Sequence, residues 1–460
     1  MTTLEKYKIS VKSAYKLALP IVAGQLGLVL MGFFDTVQVG GLGATYMGAC
    51  GVSNSVYFLF MLLGMGVLYS VSPLVSEAFG EHHPWKSIGV MRSALLVSLV
   101  LSILFYFLMA VVCEHFSIFR ESETITDLAQ KFLHVLNYST PMLMFFTLGK
   151  QFMDGQGRTK VSMVVMIIGL LCNVFLNWVL IYGRLGCPAY GIEGAAIATG
   201  TSRTLMCLML WGYILYDRKT RTLVNQYKAA FAPAKSYITQ ILRIGIPSGL
   251  MMFFEVAAFS AGQIMSGWLD KTNQAAGLVA FNLASFQVAI NLASITFMMV
   301  SGLAAAGTIM TGYAYGNKDK EGLRIAGNTI YFLTICSQVF FALVFLLFNN
   351  QLPQIYTDDV LVISTASSLL LLAALFQLSD GFQVVGSGLL RGMQDVKMPS
   401  ILAFASYWVI MVPVSYILAF NYRMGVQGIW VGFVVGLSVA ALLMYLRFRI
   451  KLRTIEFTEL

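Results

Sequence analysis

The side chains best placed to do chemistry in this sequence are carboxylates buried in apolar runs. Glu255 is the only charged residue in 244–267 and stands about halfway along that stretch. An ionisable group at bilayer depth costs several kcal/mol unless it faces a cavity or a partner, which marks it as functional by default. Asp380 sits in a second apolar run with Gln377, Gln383 and Ser387 at spacings of three and seven, a polar stripe on one face of a helix. Two carboxylates facing one low-dielectric space cannot cheaply both be bare anions. Each seeks a proton, a metal ion or an organic cation, and competition for that seat is exchange.

Other polar positions leave alternatives open. Asp35 stands nearer the end of its run than Glu255, where an interfacial carboxylate is cheaper. Asn173 and Asn177 are four apart and share a helix face, with Gly169 one turn earlier. Their amides either donate to Asp35, ligate a cation through their oxygens, or bond helix to helix. Gln287, Asn291 and Ser294 form a further stripe that either lines a cavity or joins helices. Arg203 is a cation well inside an apolar run and needs a salt bridge or a route to the interface. Glu77, Lys150, Asp154 and Arg391 fall at run ends, where ion pairs are the ordinary expectation.

Competing chemistries find little support. There is no glycine-rich phosphate cradle, so direct ATP drive is not indicated. The four histidines lie at run ends or in loops without metal-site spacing. The six cysteines show no CxxC and read as reduced packing residues. No enzyme nucleophile with a base can be assembled.

The elements that must hold these residues follow from composition. Of 460 residues, 58% are hydrophobic and 11% charged, against roughly 25% charged in soluble domains. The chain therefore reads as a polytopic membrane protein, and its net charge of +9 belongs to loops rather than to a nucleic-acid surface. Twelve spanning runs can be marked, about 16–38, 45–75, 93–113, 129–152, 161–182, 192–216, 244–268, 276–312, 326–348, 361–390, 400–421 and 426–446. With that count, 23 of the 30 Lys and Arg fall on one side. Loops on the other side hold Arg120, Arg184, Lys271 and Arg423, with Lys131 near a run end. The positive side is expected to be cytoplasmic and to carry both termini. The run beginning at Leu17 is long enough to span and is taken as an uncleaved first helix.

The two halves repeat. Leu19-Pro20 matches Ile246-Pro247, Ala78-Phe79-Gly80 matches Ala314-Tyr315-Gly316, and residues 155–160 match 392–397. A fourth pair, 190–194 with 424–428, keeps nearly the same offset, which predicts a duplication. The expected fold is all-α, with twelve transmembrane helices in two pseudo-symmetric six-helix bundles, parallel repeats around a central cavity. The expected domains are 1–217, a cytoplasmic linker 218–243, and 244–460.

With these features together, the sequence resembles the multidrug and toxic compound extrusion (MATE) family, in particular its NorM-like branch. The resemblance rests on Leu19-Pro20 with Asp35 in Phe34-Asp35-Thr36, Val39-Gly40, Asp154-Gly155-Gln156-Gly157, Asn173, Asn177, Glu255, and Ser379-Asp380-Gly381-Phe382-Gln383 leading to Arg391-Gly392. It implies a secondary antiporter in the cell (inner or plasma) membrane that expels organic cations and drugs by alternating access, driven by Na+ or H+ with no other cofactor. It also implies that Glu255 and Asp380 form an acidic cation site, possible Na+ ligands. A second polar site would comprise Asp35, Asn173, Asn177 and Thr199, while Gln287 and Asn291 are taken as cavity lining. Two departures matter. Asn177 stands where other branches carry an aspartate, and Phe376 stands where some NorM-like members place a tyrosine that supplies an oxygen. The expected partners are small-molecule cations and the lipid bilayer, with no nucleic acid and a monomeric chain. A lipid-linked precursor flippase and a passive channel remain the alternatives. The first lacks a cluster of cations in the spans, and the second suits isolated carboxylates poorly.

Overall fold

The structure, a computed structural model, describes residues 2–119, 122–226, 234–275, 281–455 and 457. The expectations for Arg120, linker residues 227–233 and the run start at 276–280 lie outside the described residues. Twelve helical elements follow in order: α1 (Thr3–Gly40), α2 (Ala44–Leu68, continued as Val71–Gly80), α3 (Trp85–Glu114), α4 (Glu123–Asn137, then Thr140–Gly155), α5 (Thr159–Leu180) and α6 (Gly191–Tyr216). After a short helix at Arg218–Gln226 come α7 (Lys235–Ala275), α8 (Asn282–Gly316), α9 (Lys320–Leu347), α10 (Val360–Gly392), α11 (Lys397–Phe404 onward to Asn421) and α12 (Gly425–Thr454). Ten of them are long and apolar enough to cross a membrane, and α4, broken between Asn137 and Thr140, and α6, which carries Glu193 and Arg203, complete the twelve expected. No strand occurs among the described residues.

In lipid every backbone polar group must be satisfied within its own segment, so continuous helix is the default and each interruption has a cause. Asp319 accepts from the Gly322 N–H at 2.8 Å and Asp359 from the Leu361 N–H at 2.9 Å, capping α9 and α10. The break in α4 is tied down by side chains: the Asn137 amide donates to Tyr106 O and the Thr140 hydroxyl to Asn137 Oδ1. In α11, Pro413 lacks the N–H that its turn would use, and wide π turns flank it at Ala405–Met411 and Ile417–Asn421.

The chain divides into two compact units, Leu19–Gly249 and Met1–Ala18 with Leu250–Leu460. Helices α1 and α7 each begin in one unit and continue in the other, and the changeovers lie beside Pro20 and Pro247, prolines inside the two longest helices. In the first unit, the opening turns of α7 pack tightly on α2, where a Cβ added at Gly249 would stand 2.8 Å from Leu63 O. The same unit holds the bidentate pair from Arg158 to Asp217, 2.6 and 2.8 Å, which fastens the start of the 218–226 helix. In the second unit, Lys6 of α1 pairs with Glu321 of α9 at 2.6 Å and the Asn328 amide donates to the Tyr7 hydroxyl.

The element that carries Asp380 is set by close helix contact. Without a hydrophobic drive between helices in lipid, small residues let backbones approach. A Cβ at Gly388 would lie 2.6 Å from Ala304 O, and one at Gly392 would lie 2.5 Å from Thr308 O, so α10 sits directly on α8. Thr308 and Thr311 donate across to Gly388 O (2.8 Å) and Leu389 O (3.2 Å). Gly392→Val is therefore expected to destabilise the second unit by roughly 3 kcal/mol, the scale of overpacking a tight site. Thermal unfolding in detergent checks this, and a melting temperature unchanged from wild type would contradict the tight approach.

Candidate functional site

The second unit gathers a polar cluster in its apolar interior. Helix α10 presents Gln377, Asp380, Gln383 and Ser387 as a single buried stripe. Glu255 on α7 is only partly buried, with the Gln383 amide beside it and the Arg391 charge within electrostatic reach. Asp380 feels the charge of Glu255, and the Tyr407 hydroxyl on α11 feels both carboxylates.

Several polar atoms of this cluster, most of them oxygens, have no protein partner. Asp380 Oδ1, both ends of the Gln377 amide, Gln338 Oε1 and the Tyr407 hydroxyl are buried without a hydrogen bond. Each such group costs about 1–3 kcal/mol when left alone, so a concentration of them in one place is a seat for something that supplies partners. Carboxylate, amide and phenol oxygens are the donor set of a hard monovalent cation, and the same carboxylates accept a proton or an organic ammonium. Among the described residues, no three His, Cys, Asp or Glu assemble as a transition-metal site.

Tyr407 is the residue that sequence reasoning did not single out. It sits in the first π turn of α11, which Pro413 helps to impose, and a tyrosine in an apolar run otherwise reads as an interfacial aromatic. Phe376, one turn before Asp380, packs against Trp430 (5.5 Å between rings) and Phe259 (5.9 Å). The phenol of this cluster comes instead from α11, as Tyr407. Tyr407→Phe removes one neutral oxygen and leaves the aromatic packing, so if the cluster seats a cation its affinity is expected to fall about tenfold, near 1.4 kcal/mol. Titration of the purified protein with Na+, followed by thermal unfolding, measures it, and an unchanged value would remove Tyr407 from the ligand set.

The first unit holds a different arrangement. Asp35 Oδ1 accepts from Asn173 at 3.0 Å and from Asn177 at 2.6 Å, while Oδ2 accepts from the Thr199 hydroxyl at 2.8 Å. The Asn173 amide also reaches Thr199 Oγ1 at 3.0 Å. Both carboxylate oxygens are occupied by protein donors, and Asn177 Oδ1 is left without a partner. Arg203, one turn beyond Thr199, contributes its charge to Asp35 while its guanidinium donates to Tyr57 OH and Ser139 Oγ, both 3.0 Å, and lies over the Tyr57 ring. Tyr57 and Ser139 are thus the partners of Arg203 that the sequence did not identify.

The Gln287 amide donates to Asn291 Oδ1 at 3.1 Å and its Oε1 accepts from the Gln263 amide of α7 at 3.2 Å, in an exposed ladder whose bonds do not reach Glu255 or Asp380. Lys150 pairs with Asp154 at 2.8 Å, as expected at a span end.

The family model MatE matches the chain twice, over residues 20–179 and 247–417. The chain belongs to the MatE family. Both matches begin on the prolines that head the two repeats, so the duplication read from short motifs is a duplication of one family unit. Solved MATE structures share the fold across nearly the whole chain. A MOP superfamily transporter from Pyrococcus furiosus, described as having a binding pocket of reversed polarity, superposes with TM-score 0.88 at 24% identity, covering 98% of this chain and 97% of that one. A multidrug resistance MATE transporter in an outward-facing conformation gives 0.87 at 23% identity and 96% coverage of both chains. A MATE structure in complex with MaL6 gives 0.85 at 25% identity, again covering 96% of each. This MatE protein is a multi-pass membrane transporter of twelve helices in two related halves.

Proposed function

We propose that this MatE protein is a secondary active multidrug efflux antiporter that exports organic cations in exchange for Na+ or H+ by alternating access. It would act as a monomer in the cell (inner) membrane with both termini cytoplasmic. The observation that carries this reading is the contrast between two buried carboxylate sites. Asp35 has its oxygens filled by protein donors, whereas Asp380 keeps an oxygen free beside the partly accessible Glu255 and an unpartnered phenol and amide. Exchange needs a seat that empties and refills, and a carboxylate already saturated by its own chain is a poor one. The coupling seat is therefore assigned to Glu255 and Asp380, with the Asp35 network as support.

The cycle follows from charge balance. A coupling cation arriving on the outer side neutralises the carboxylates and displaces the drug, and the site, turned inward, releases that cation and takes up the next drug. The ligand moves the equilibrium only by its differential affinity for the two states. In inverted vesicles, a fluorescent cation such as ethidium is expected to move in a saturable manner under an imposed Na+ or pH gradient. Conductance that needs neither gradient would point to a channel and refute the antiporter.

A further inference from the structure

Away from both carboxylate clusters, a cavity of about 610 Å³ opens between the start of α9 and the end of α12, lined by Lys320, Glu321, Arg324, Arg449, Leu452 and Arg453. Four of these six side chains are cationic, and the one carboxylate is already engaged by Lys6. Lys320 donates to the carbonyl oxygens of Arg453 (3.2 Å) and Ile455 (3.1 Å), which ties the two helices together and fixes the width of the opening. Arg324, Arg449 and Arg453 form no ion pair among the described residues, although Arg449 lies over the Tyr445 ring at 5.9 Å. Cations sharing one cavity repel one another until an anion enters.

The surface leading to this cavity says what kind of anion. Leu442, Leu446 and Ile450 are exposed at four-residue spacing on α12, and the same face ends in Arg449 and Arg453. It is apolar along its length and cationic at its end, which is how a helix meets an acyl chain below a phosphate. Arginine forks match phosphate oxygens two at a time. Basic pockets between transmembrane helices on the positive side bind anionic headgroups.

We infer that the cavity between α9 and α12 is a binding site for a phosphate group, supplied by an anionic lipid of the leaflet on the basic side. The site is independent of the transport reading, since none of its residues belongs to either carboxylate cluster. A soluble phosphate shares the chemistry but would leave the exposed stripe of α12 without a role.

The test uses the purified full chain in detergent, titrated with short-chain phosphatidylglycerol, short-chain phosphatidylcholine and inorganic phosphate. Phosphatidylglycerol is expected to bind wild type about thirtyfold more tightly than R449Q/R453Q, taking about 1 kcal/mol for each cation near an anionic lipid. R324Q, on the facing helix, is expected to weaken binding about fivefold on the same scale. Phosphatidylcholine should bind all three alike, and added salt should weaken only the phosphatidylglycerol signal. Inorganic phosphate that displaces the lipid, with the same dependence on the arginines, would support the phosphate seat. Saturation by phosphate with no added gain from the lipid would overturn the lipid as its source. Equal phosphatidylglycerol binding by wild type, R324Q and R449Q/R453Q would overturn the site altogether. Circular dichroism and gel filtration confirm that each variant is folded, and R324Q carries the test if the double variant is not.

Discussion

Asp380→Asn is expected to abolish ion-coupled efflux of organic cations, with binding of the cation weakened roughly 100-fold, and to do so more completely than Glu255→Gln. The size follows from losing one partner of a desolvated charge pair, about 2–5 kcal/mol. The order of the two variants follows from their neighbours. Glu255 has the Arg391 charge in reach, so when Asp380 is neutralised the remaining anion is partly offset by the protein itself and attracts a cation less strongly. When Glu255 is neutralised, Asp380 keeps its charge, its unpartnered oxygen and the Tyr407 hydroxyl, and a weakened seat survives. Both variants are close in volume to the native residue, so the packing of α10 on α8 should persist and the proteins should reach the membrane. Drug resistance in a sensitive host and ethidium uptake by proteoliposomes separate the outcomes. Full transport by both variants would end the exchange model, and a larger loss in Glu255→Gln would reverse the assigned role of Arg391.

The parts of this molecule legible in sequence are those where lipid makes a mistake expensive. A run of about 20 apolar residues has few alternatives to a spanning helix, and a carboxylate within it is conspicuous for the same reason. Helix ends were less legible: α1 starts at Thr3 and α7 at Lys235, well before the apolar runs, because amphipathic turns carrying lysines extend past the hydrocarbon. The division of α1 and α7 between the two units could not be read at all, since nothing in a local window says which neighbours a helix end will meet. Tyr407 escaped notice because its position depends on π turns in α11, and a single added residue per turn leaves no periodic signature. Thr199 could be reached only through family resemblance, as one threonine in a run of small residues has no distinguishing pattern. Its hydroxyl proves to be the donor that fills Asp35 Oδ2.

Arg203→Gln should lower the stability of the first unit by roughly 2–4 kcal/mol, the combined scale of two hydrogen bonds from a charged donor and of a counter-charge removed from a buried carboxylate. Its guanidinium joins α6 to Tyr57 on α2 and to Ser139 at the α4 break, while its charge reaches Asp35 through the membrane interior. If that charge is what makes an ionised Asp35 tolerable, the two residues must be coupled. In a double-mutant cycle, Asp35→Asn combined with Arg203→Gln should then cost less than the sum of the single variants by about 1–3 kcal/mol. Losses that add within about 0.5 kcal/mol would mean that Asp35 is sustained by its amide and hydroxyl donors alone. The same melting experiments in NaCl and KCl distinguish a tethered counter-charge from an exchangeable one, because a bound ion stabilises in proportion to the logarithm of its excess over the dissociation constant. Any Na+-specific rise should survive Asp35→Asn and vanish in Asp380→Asn, since of the two aspartates Asp380 is the one that leaves a carboxylate oxygen free for a guest.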